Sequence, residues 1–288
     1  MWQTNIPESD LACERRRADT SIPGVEYKKE KHGGFTWEKI RITSEEGARS
    51  IGRPIGHYDT LTTPRMDKLD AADIEDAQEE LARELCIILD GNGIYPERLL
   101  VVGLGNRSLT PDSIGPKCAE RINPTMHIMG YSREMFESLD CSEIAVCTPG
   151  VTAQSGMEAA DTVRGICNNI KPDAVIAIDA LASRSSERLG STIQISDTGI
   201  FPGSGIGNRR SAINRASVGV PVIAIGVPTV IDTRVFINEE MSLILEREVS
   251  LRKNAEPMFV SPREANEITD CAARIIAGAI NQAFGTEG

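Results

Sequence analysis

Two aspartates, each close behind a short apolar run, are the residues of this sequence best suited to acid–base chemistry. Asp112 comes after residues 99–102 and a glycine turn at 103–105, and Asp179 directly follows residues 174–178. Apolar runs of this length, bounded by turn residues, predict buried strands of a parallel sheet. Because ligands bind at the carboxyl ends of such strands, we expect both carboxylates to face one cleft.

A pair of carboxyl groups in a low-dielectric cleft has a definite chemical use. Two ionised groups repel one another, which raises one pKa and lets the pair act as acid and base on a bound water. Carboxylates are also metal ligands. In a purely structural reading, Asp112 caps the helix that follows it and Asp179 stabilises a turn. The residues alone leave these three readings open.

Two glycine clusters follow predicted strands. Gly103-x-Gly105 is similar to a dinucleotide-binding turn, but Ser108 stands in the place of the third glycine and Pro111 precedes any helix, which disfavours a cofactor. Residues 198–208 hold four glycines and predict a loop that borders the cleft and offers its main chain to an extended peptide. The candidate substrate-binding residues of this loop are Gly203, Gly205 and Asn208. No GxxxxGK[ST], HExxH or GxSxG motif is present.

Strand and helix patterns alternate along most of the chain. Helical patterns occupy residues 45–50 (after a Thr43 or Ser44 cap), 70–89, 118–122, 155–170 (with a capping box of Ser155 and Glu158), 238–253 and 262–284. Further strand patterns occupy residues 35–42, 142–149 and 221–227. This alternation predicts an α/β fold with a doubly wound, mostly parallel sheet flanked by helices. Residues 1–33 are polar and aperiodic, so we place them outside the core.

Composition excludes several classes of protein. A net charge of -11 over 288 residues disfavours direct nucleic-acid binding. There is no apolar stretch of bilayer length and no signal-peptide pattern, so we expect a cytoplasmic protein without membrane contact. The seven cysteines are scattered without CxxC spacing, which predicts reduced thiols and no zinc site.

Five long segments resemble the germination protease family of spore-forming bacteria. They are residues 101–116, 149–161, 172–188, 192–208 and 219–232. The resemblance implies an endopeptidase of the spore core that initiates degradation of small acid-soluble spore proteins at germination. It implies no cofactor, and a fold similar to that of the hydrogenase maturation proteases. The family's two essential aspartates match Asp112, in TPDSIGP, and Asp179, in AIDALASRS.

The resemblance also implies a self-processing zymogen. The sequence SDLACE at residues 9–14 is similar to the family's processing junction, with Asp10-Leu11 as the bond cut. We therefore expect a propeptide at 1–10, contributing little stability, and a single α/β peptidase domain at 11–288. Residues 232–258 are shorter than the corresponding region of bacillus-type members, which leaves the family's homotetramer open for this chain.

Two other functions stay open beside the aspartate-dependent protease. One is a metal-dependent peptidase on the same fold, because a histidine joins two acidic residues at a metal in the hydrogenase maturation proteases. His127 is the histidine considered for that role, although a structural role is favoured and no metal is expected. The other is a non-enzymatic nucleotide-binding or partner-binding α/β domain, based on the two glycine clusters.

Overall fold

A computed structural model describes residues 9–15, 21–203, 210–237 and 258–285. Its strands are β1 Val25–His32, β2 Phe35–Ile42, β3 Gly56–Thr62, β4 Arg98–Gly103, β5 Glu143–Cys147, β6 Ala174–Ser183, β7 Thr192–Ser196, β8 Val222–Asp232 and β9 Phe259–Val260. Its helices are α1 Glu45–Ile51, α2 Ala71–Gly91, α3 Ile114–Ala119, α4 Met126–Tyr131, α5 Arg133–Glu137, α6 Thr152–Ser155, α7 Ala159–Ile170, α8 Arg215–Val218 and α9 Ala265–Phe284. None of the helices in these ranges combines the length and the apolar character that a membrane crossing requires.

All of these strands join one mixed sheet in the order β1-β2-β3-β7-β8-β6-β4-β5, with β9 paired to β8. Strands β5, β4, β6 and β8 run parallel to one another. The sheet continues through β7, β3, β2 and β1 by antiparallel pairing. The predicted α/β architecture with flanking helices is confirmed. Of the antiparallel extension, the sequence patterns identified β2 alone.

The two faces of the sheet carry separate apolar clusters. On one, the α2 face, Ile176 and Ile178 pack with residues of α2, α3 and α9. On the other, the α7 face, Val175 and Ala177 pack with residues of α1, α7 and α8. Because side chains alternate along a strand, Asp179 follows Ala177 onto the α7 face.

The helix predictions succeed where cap and periodicity agree. Helix α1 begins after Ser44, whose side chain accepts from the Gly47 amide, and α2 begins after a capping box at Asp70. The helix predicted at 155–170 is confirmed for 159–170, but its start and the capping box of Ser155 and Glu158 are wrong. The chain forms α6 and α7 instead, because Gly156 takes a left-handed conformation (φ +72°) that ends α6. The tail helix α9 is confirmed, whereas the predicted helix at 238–253 lies outside the described residues.

The placement of residues 1–33 outside the core is wrong for two stretches of them. Residues 25–32 form β1, which pairs along its length with β2. Leu11 and Ala12 are both 0% exposed and belong to the apolar cluster of the α7 face. An apolar triplet, Leu11-Ala12-Cys13, lies within the polar amino-terminal stretch and is the part that enters the core.

Candidate active site

Asp112 is held by the loop that follows β4. The Asn106 amide donates to both the Asp112 carboxylate Oδ2 and the Asp112 carbonyl, each at 2.9 Å. Gly105 makes this closure feasible, because its φ is +106° and a Cβ there would lie 2.2 Å from the Asp112 carbonyl oxygen. The carboxylate thus closes the preceding loop and does not cap α3, whose N-cap residue is Ser113, without a side-chain hydrogen bond.

Asp179 lies within β6 rather than at its end, which corrects the sequence-based placement. Strand β6 continues to Ser183 because it keeps pairing with β8 beyond a register shift at Leu181/Ala182. Neighbouring β4, however, ends at Gly103, which pairs with Ile178. A cleft therefore opens beside Asp179, whose Oδ1 accepts from the Ala180 amide at 2.9 Å.

One cavity of about 330 Å³ contains both aspartates. Asp112, Asp179 and Gly203 line it, as do Asp10 and Arg210. The structure therefore brings together two separately predicted carboxylates and one residue of the predicted loop. The other two loop residues proposed to bind substrate, Gly205 and Asn208, lie outside the described residues.

Burial raises the pKa of both cavity aspartates, and neighbouring carboxylates act on that of Asp179. Burial raises the pKa of Asp179 well above its ordinary value, and the neighbouring Asp112 and Asp10 carboxylates raise it further. Burial also raises the pKa of Asp112, against the opposing effects of the Asn106 amide and the Arg210 guanidinium. A singly protonated pair is the state that these effects favour, and such a pair holds an acid and a base at one place.

Comparison with known proteins decides the family. The germination protease family model matches residues 5–250. The chain belongs to the germination protease family. A germination protease of Caldanaerobacter subterraneus subsp. tengcongensis is 39% identical over 255 residues, covering 87% of this chain and 77% of that protein. One of Clostridium tetani is 35% identical and covers 96% of this chain and 94% of that protein.

One further relative and one solved structure complete the comparisons. The germination protease of Priestia megaterium is 38% identical over 245 residues, which cover 84% of this chain and 66% of that protein. The [NiFe] hydrogenase maturation protease HycI of Thermococcus kodakarensis superposes with a TM-score of 0.36 at 17% identity, covering 65% of this chain and 94% of that structure. By its family this protein is a peptidase, so the cavity of Asp112 and Asp179 is its candidate active site.

Asp10, near the amino terminus of the chain, lines the same cavity. The Asp10 amide donates to the Ala182 carbonyl at 3.0 Å, and the Ala182 amide donates to Asp10 Oδ2 at 2.9 Å. Arg53 Nη2 donates to the Ser9 carbonyl at 2.9 Å and contacts Asp10 Oδ1 at 3.4 Å. Ser9 and Asp10 are buried. These contacts argue against the expectation that the end of the 1–10 segment contributes little to stability.

The chain is also fixed on the far side of Leu11. The Glu14 carboxylate accepts from the Ser183 hydroxyl at 2.7 Å and from the amides of Arg184 and Ser185 at 2.7 and 3.0 Å. The Asp10-Leu11 bond is therefore held between two anchors on or just beyond β6.

Sequence reasoning missed three residues around this site. Arg53, Gln194 and Arg210 were given no role, although each contacts the junction or lines the cavity. For Gln194 the signal is weak, since β7 alternates polar and apolar residues and Gln194 shares the polar positions with Thr192 and Ser196. Arg53 has no comparable local signal.

His127 lies on α4, is exposed and does not line the cavity. In the described parts of the chain, no cluster of three or more His, Cys, Asp or Glu side chains is arranged to hold a metal ion. The described cysteines are free thiols.

Proposed function

We propose that this germination protease is an endopeptidase of the spore core that initiates degradation of small acid-soluble spore proteins, with Asp112 and Asp179 activating a water. The observation that carries the proposal is the presence of both carboxyl groups in one cavity, each with a raised pKa. A raised pKa brings a carboxylic acid nearer to the operating pH, where it serves best in proton transfer.

Each member of the pair takes one part of the hydrolysis. The ionised carboxylate removes a proton from water while the water oxygen bonds to the peptide carbonyl carbon. The protonated carboxylic acid donates to the leaving nitrogen as the C–N bond breaks. The products are a carboxylic acid and an amine, and the pair again holds one proton, now on the other carboxyl group. Asp179 is suited to the acid role because its surroundings oppose its charge most strongly.

We further propose that the same pair cuts the Asp10-Leu11 bond, removing residues 1–10 as a propeptide and leaving residues 11–288 as the peptidase. The location of Asp10 on the cavity wall supports this. So do the hydrogen bonds to Ala182 and Arg53, because they hold the residue before the bond in one position.

The test is a timed digest of a purified spore protein, read by mass spectrometry, with the wild type, Asp112→Asn and Asp179→Asn. General acid–base catalysis contributes about 10²–10⁴-fold, so each variant is expected to lose at least about 100-fold in rate while remaining fully folded. Asp161→Asn, at an exposed carboxylate paired with Arg164, is the matched control.

Three results would contradict the proposal. Variants at Asp112 and Asp179 that cleave within a few-fold of the wild type would remove the pair from the chemistry. Loss of wild-type activity in a chelator, restored by a divalent metal, would assign the reaction to a metal-dependent peptidase instead. Folded protein without proteolysis would leave a binding function for the cavity.

A further inference from the structure

The carboxylate pair accounts for the water and the leaving nitrogen, but not for the charge that develops on the carbonyl oxygen. We propose that the side-chain amide of Gln194 stabilises this oxyanion. The inference rests on the proposed cleavage of Asp10-Leu11, since the uncut junction shows where a cleaved peptide lies.

Gln194 makes a hydrogen bond to the residue on each side of Leu11. Its Nε2 donates to the Asp10 carbonyl oxygen at 3.3 Å, which is the carbonyl of the bond to be cut. Its Oε1 accepts from the Ala12 amide at 2.8 Å. The amide orientation follows from chemistry, because the Ala12 N–H is a donor and requires the oxygen, which turns the NH₂ group toward the carbonyl.

The sheet register places Gln194 opposite Asp179. Gly226 of β8 pairs with Asp179 of β6 on one side and with Gln194 of β7 on the other. Paired residues project from the same face, and two strand spacings put the outer Cα atoms about 10 Å apart. An acid of the proposed pair and an amide donor thus stand on either side of a glycine.

Gly226 makes room for the Leu181 side chain, which packs directly against it. A Cβ there would lie 2.5 Å from Leu181 side-chain atoms, so any larger residue displaces the neighbouring wall. The Asp10 main chain is tied to β6 through Ala182 and to β7 through Gln194.

The surroundings make a neutral donor effective. Gln194 is 8% exposed, and the Leu11 and Ala12 residues beyond the bond are 0% exposed. Little water competes for the carbonyl oxygen, and a hydrogen bond to a charged oxygen in such a place is stronger than one to a neutral carbonyl. The 3.3 Å contact in the uncut chain is long for an N–H···O bond and can shorten as the oxygen gains charge.

The step balances without a proton from Gln194. The water oxygen bonds to the Asp10 carbonyl carbon, one water proton passes to the ionised carboxylate, and the carbonyl oxygen becomes negative beside Nε2. Collapse restores the carbonyl as the C–N bond breaks, and the protonated carboxyl group supplies the proton that makes the Leu11 amine. Gln194 keeps both of its N–H protons throughout.

The experiment compares Gln194→Glu and Gln194→Met with the wild type. Glutamate keeps the shape, and methionine keeps the approximate volume, while both lose the N–H donors. The control is Gln78→Met, at a glutamine whose Nε2 also donates to a main-chain carbonyl, that of Arg274 at 3.0 Å, but between α2 and α9. Self-processing of the full chain is timed by mass spectrometry, and kcat and KM for a spore protein are measured on a chain starting at Leu11.

Loss of one oxyanion donor lowers kcat by about 10²–10³-fold. We expect a fall of about 100-fold in kcat and in the self-processing rate for both Gln194 variants, with KM within about threefold and the melting temperature kept. The Gln78 control is expected to match the wild type. If one Gln194 variant fails to fold, the other decides.

Unchanged kcat in a folded variant, or a rise in KM alone, would overturn the inference, the latter showing a role in binding only. If the wild type itself cleaves neither its own junction nor the spore protein, the proposed function fails first. A slow Asp112→Asn variant together with fully active Gln194 variants would remove the oxyanion role and leave the carboxylate pair in place.

Discussion

Asp10 and Ala182 exchange two hydrogen bonds, one through the Asp10 amide at 3.0 Å and one through its carboxylate Oδ2 at 2.9 Å. Ala182 lies on β6, three residues after Asp179. The strand that carries one proposed catalytic group therefore also fixes the proposed cleavage junction. Contacts on the same strand therefore fix the position of the junction relative to Asp179.

Arg53 is expected to govern self-processing. Its guanidinium holds the Ser9 carbonyl at 2.9 Å and contacts the Asp10 carboxylate at 3.4 Å. Hydrogen bonds to charged groups contribute about 1.5–3 kcal/mol, so Arg53→Ala is expected to slow processing by roughly tenfold or more. Amino-terminal sequencing over time measures this. Arg49→Ala, at an exposed position on α1, is the control, and equal processing by the two variants would refute the role.

Asp179→Asn is expected to stabilise the fold at neutral pH. A carboxyl group with a raised pKa in the folded state contributes stability below its unfolded pKa of about 3.8, which is lost as the pH rises through the folded pKa. Asparagine removes that loss, so the melting temperature of the variant should exceed that of the wild type at pH 7–8. The gain should vanish near pH 3.5. A gain of equal size at both pH values would contradict this explanation.

The sequence predicts the carboxylate pair because its signal is local. Apolar runs before Asp112 and Asp179 identify parallel strands, and neighbouring parallel strands bring their ends together. The junction contacts have no such signal. Ala12 and Gln194 are 182 positions apart, and no sequence pattern near either residue predicts the hydrogen bond between them. The extension of β6 past Asp179 also depends on pairing with β8, a tertiary contact that a short apolar run does not reveal.

A second buried carboxyl group, Asp59 of β3, should lower the stability of the protein at alkaline pH. Its pKa is raised to about 8, chiefly by burial and then by the hydrogen bond with Glu84 and the Glu84 charge. The Lys39 ammonium opposes this rise, and the Asp197 charge adds to it. Lys39 Nζ lies 2.6 Å from Glu84 Oε2. Stability is therefore lost as the pH rises from about 4 through about 8.

Asp59→Asn is the variant that tests this. Its melting temperature relative to the wild type is expected to rise between pH 6 and pH 9, because asparagine stays neutral beside Glu84. Scanning calorimetry at several pH values measures the difference. Asp161→Asn, at an exposed carboxylate, should show no such trend. A difference in melting temperature that stays constant between pH 6 and pH 9 would mean that the Asp59 carboxyl group does not titrate in that range.

Leu11→Ala is expected to destabilise the protein by about 2–5 kcal/mol, the usual cost of truncating a fully buried leucine. Leu11 is 0% exposed within the α7-face cluster, so a cavity remains after truncation. Urea denaturation gives the free energy of unfolding. Ile87→Ala, at a side chain of α2 that is 51% exposed, should change it by less than about 0.5 kcal/mol. A similar small change at Leu11 would show that the segment does not dock in solution.

Removal of residues 1–10 is expected to raise activity on spore proteins. In the uncut chain Asp10 lines the cavity and its main chain lies beside Gln194, where a substrate carbonyl would have to bind. Cleavage frees Asp10 to leave. The Ala12 and Glu14 contacts continue to hold the new amino terminus on the sheet.

A chain starting at Leu11 should therefore digest a spore protein faster than the full-length chain at equal folded concentration. Initial rates are compared while mass spectrometry follows the uncut fraction, and the full-length rate is extrapolated to zero processing. A chain starting at Ser9 separates two causes of inhibition. It keeps Asp10 in the cavity, so it should begin as slowly as the full-length chain if occupancy by Asp10 inhibits. An initial rate equal to that of the Leu11 chain would assign the restraint to residues 1–8, and equal rates for all three chains would exclude an inhibitory role for the segment.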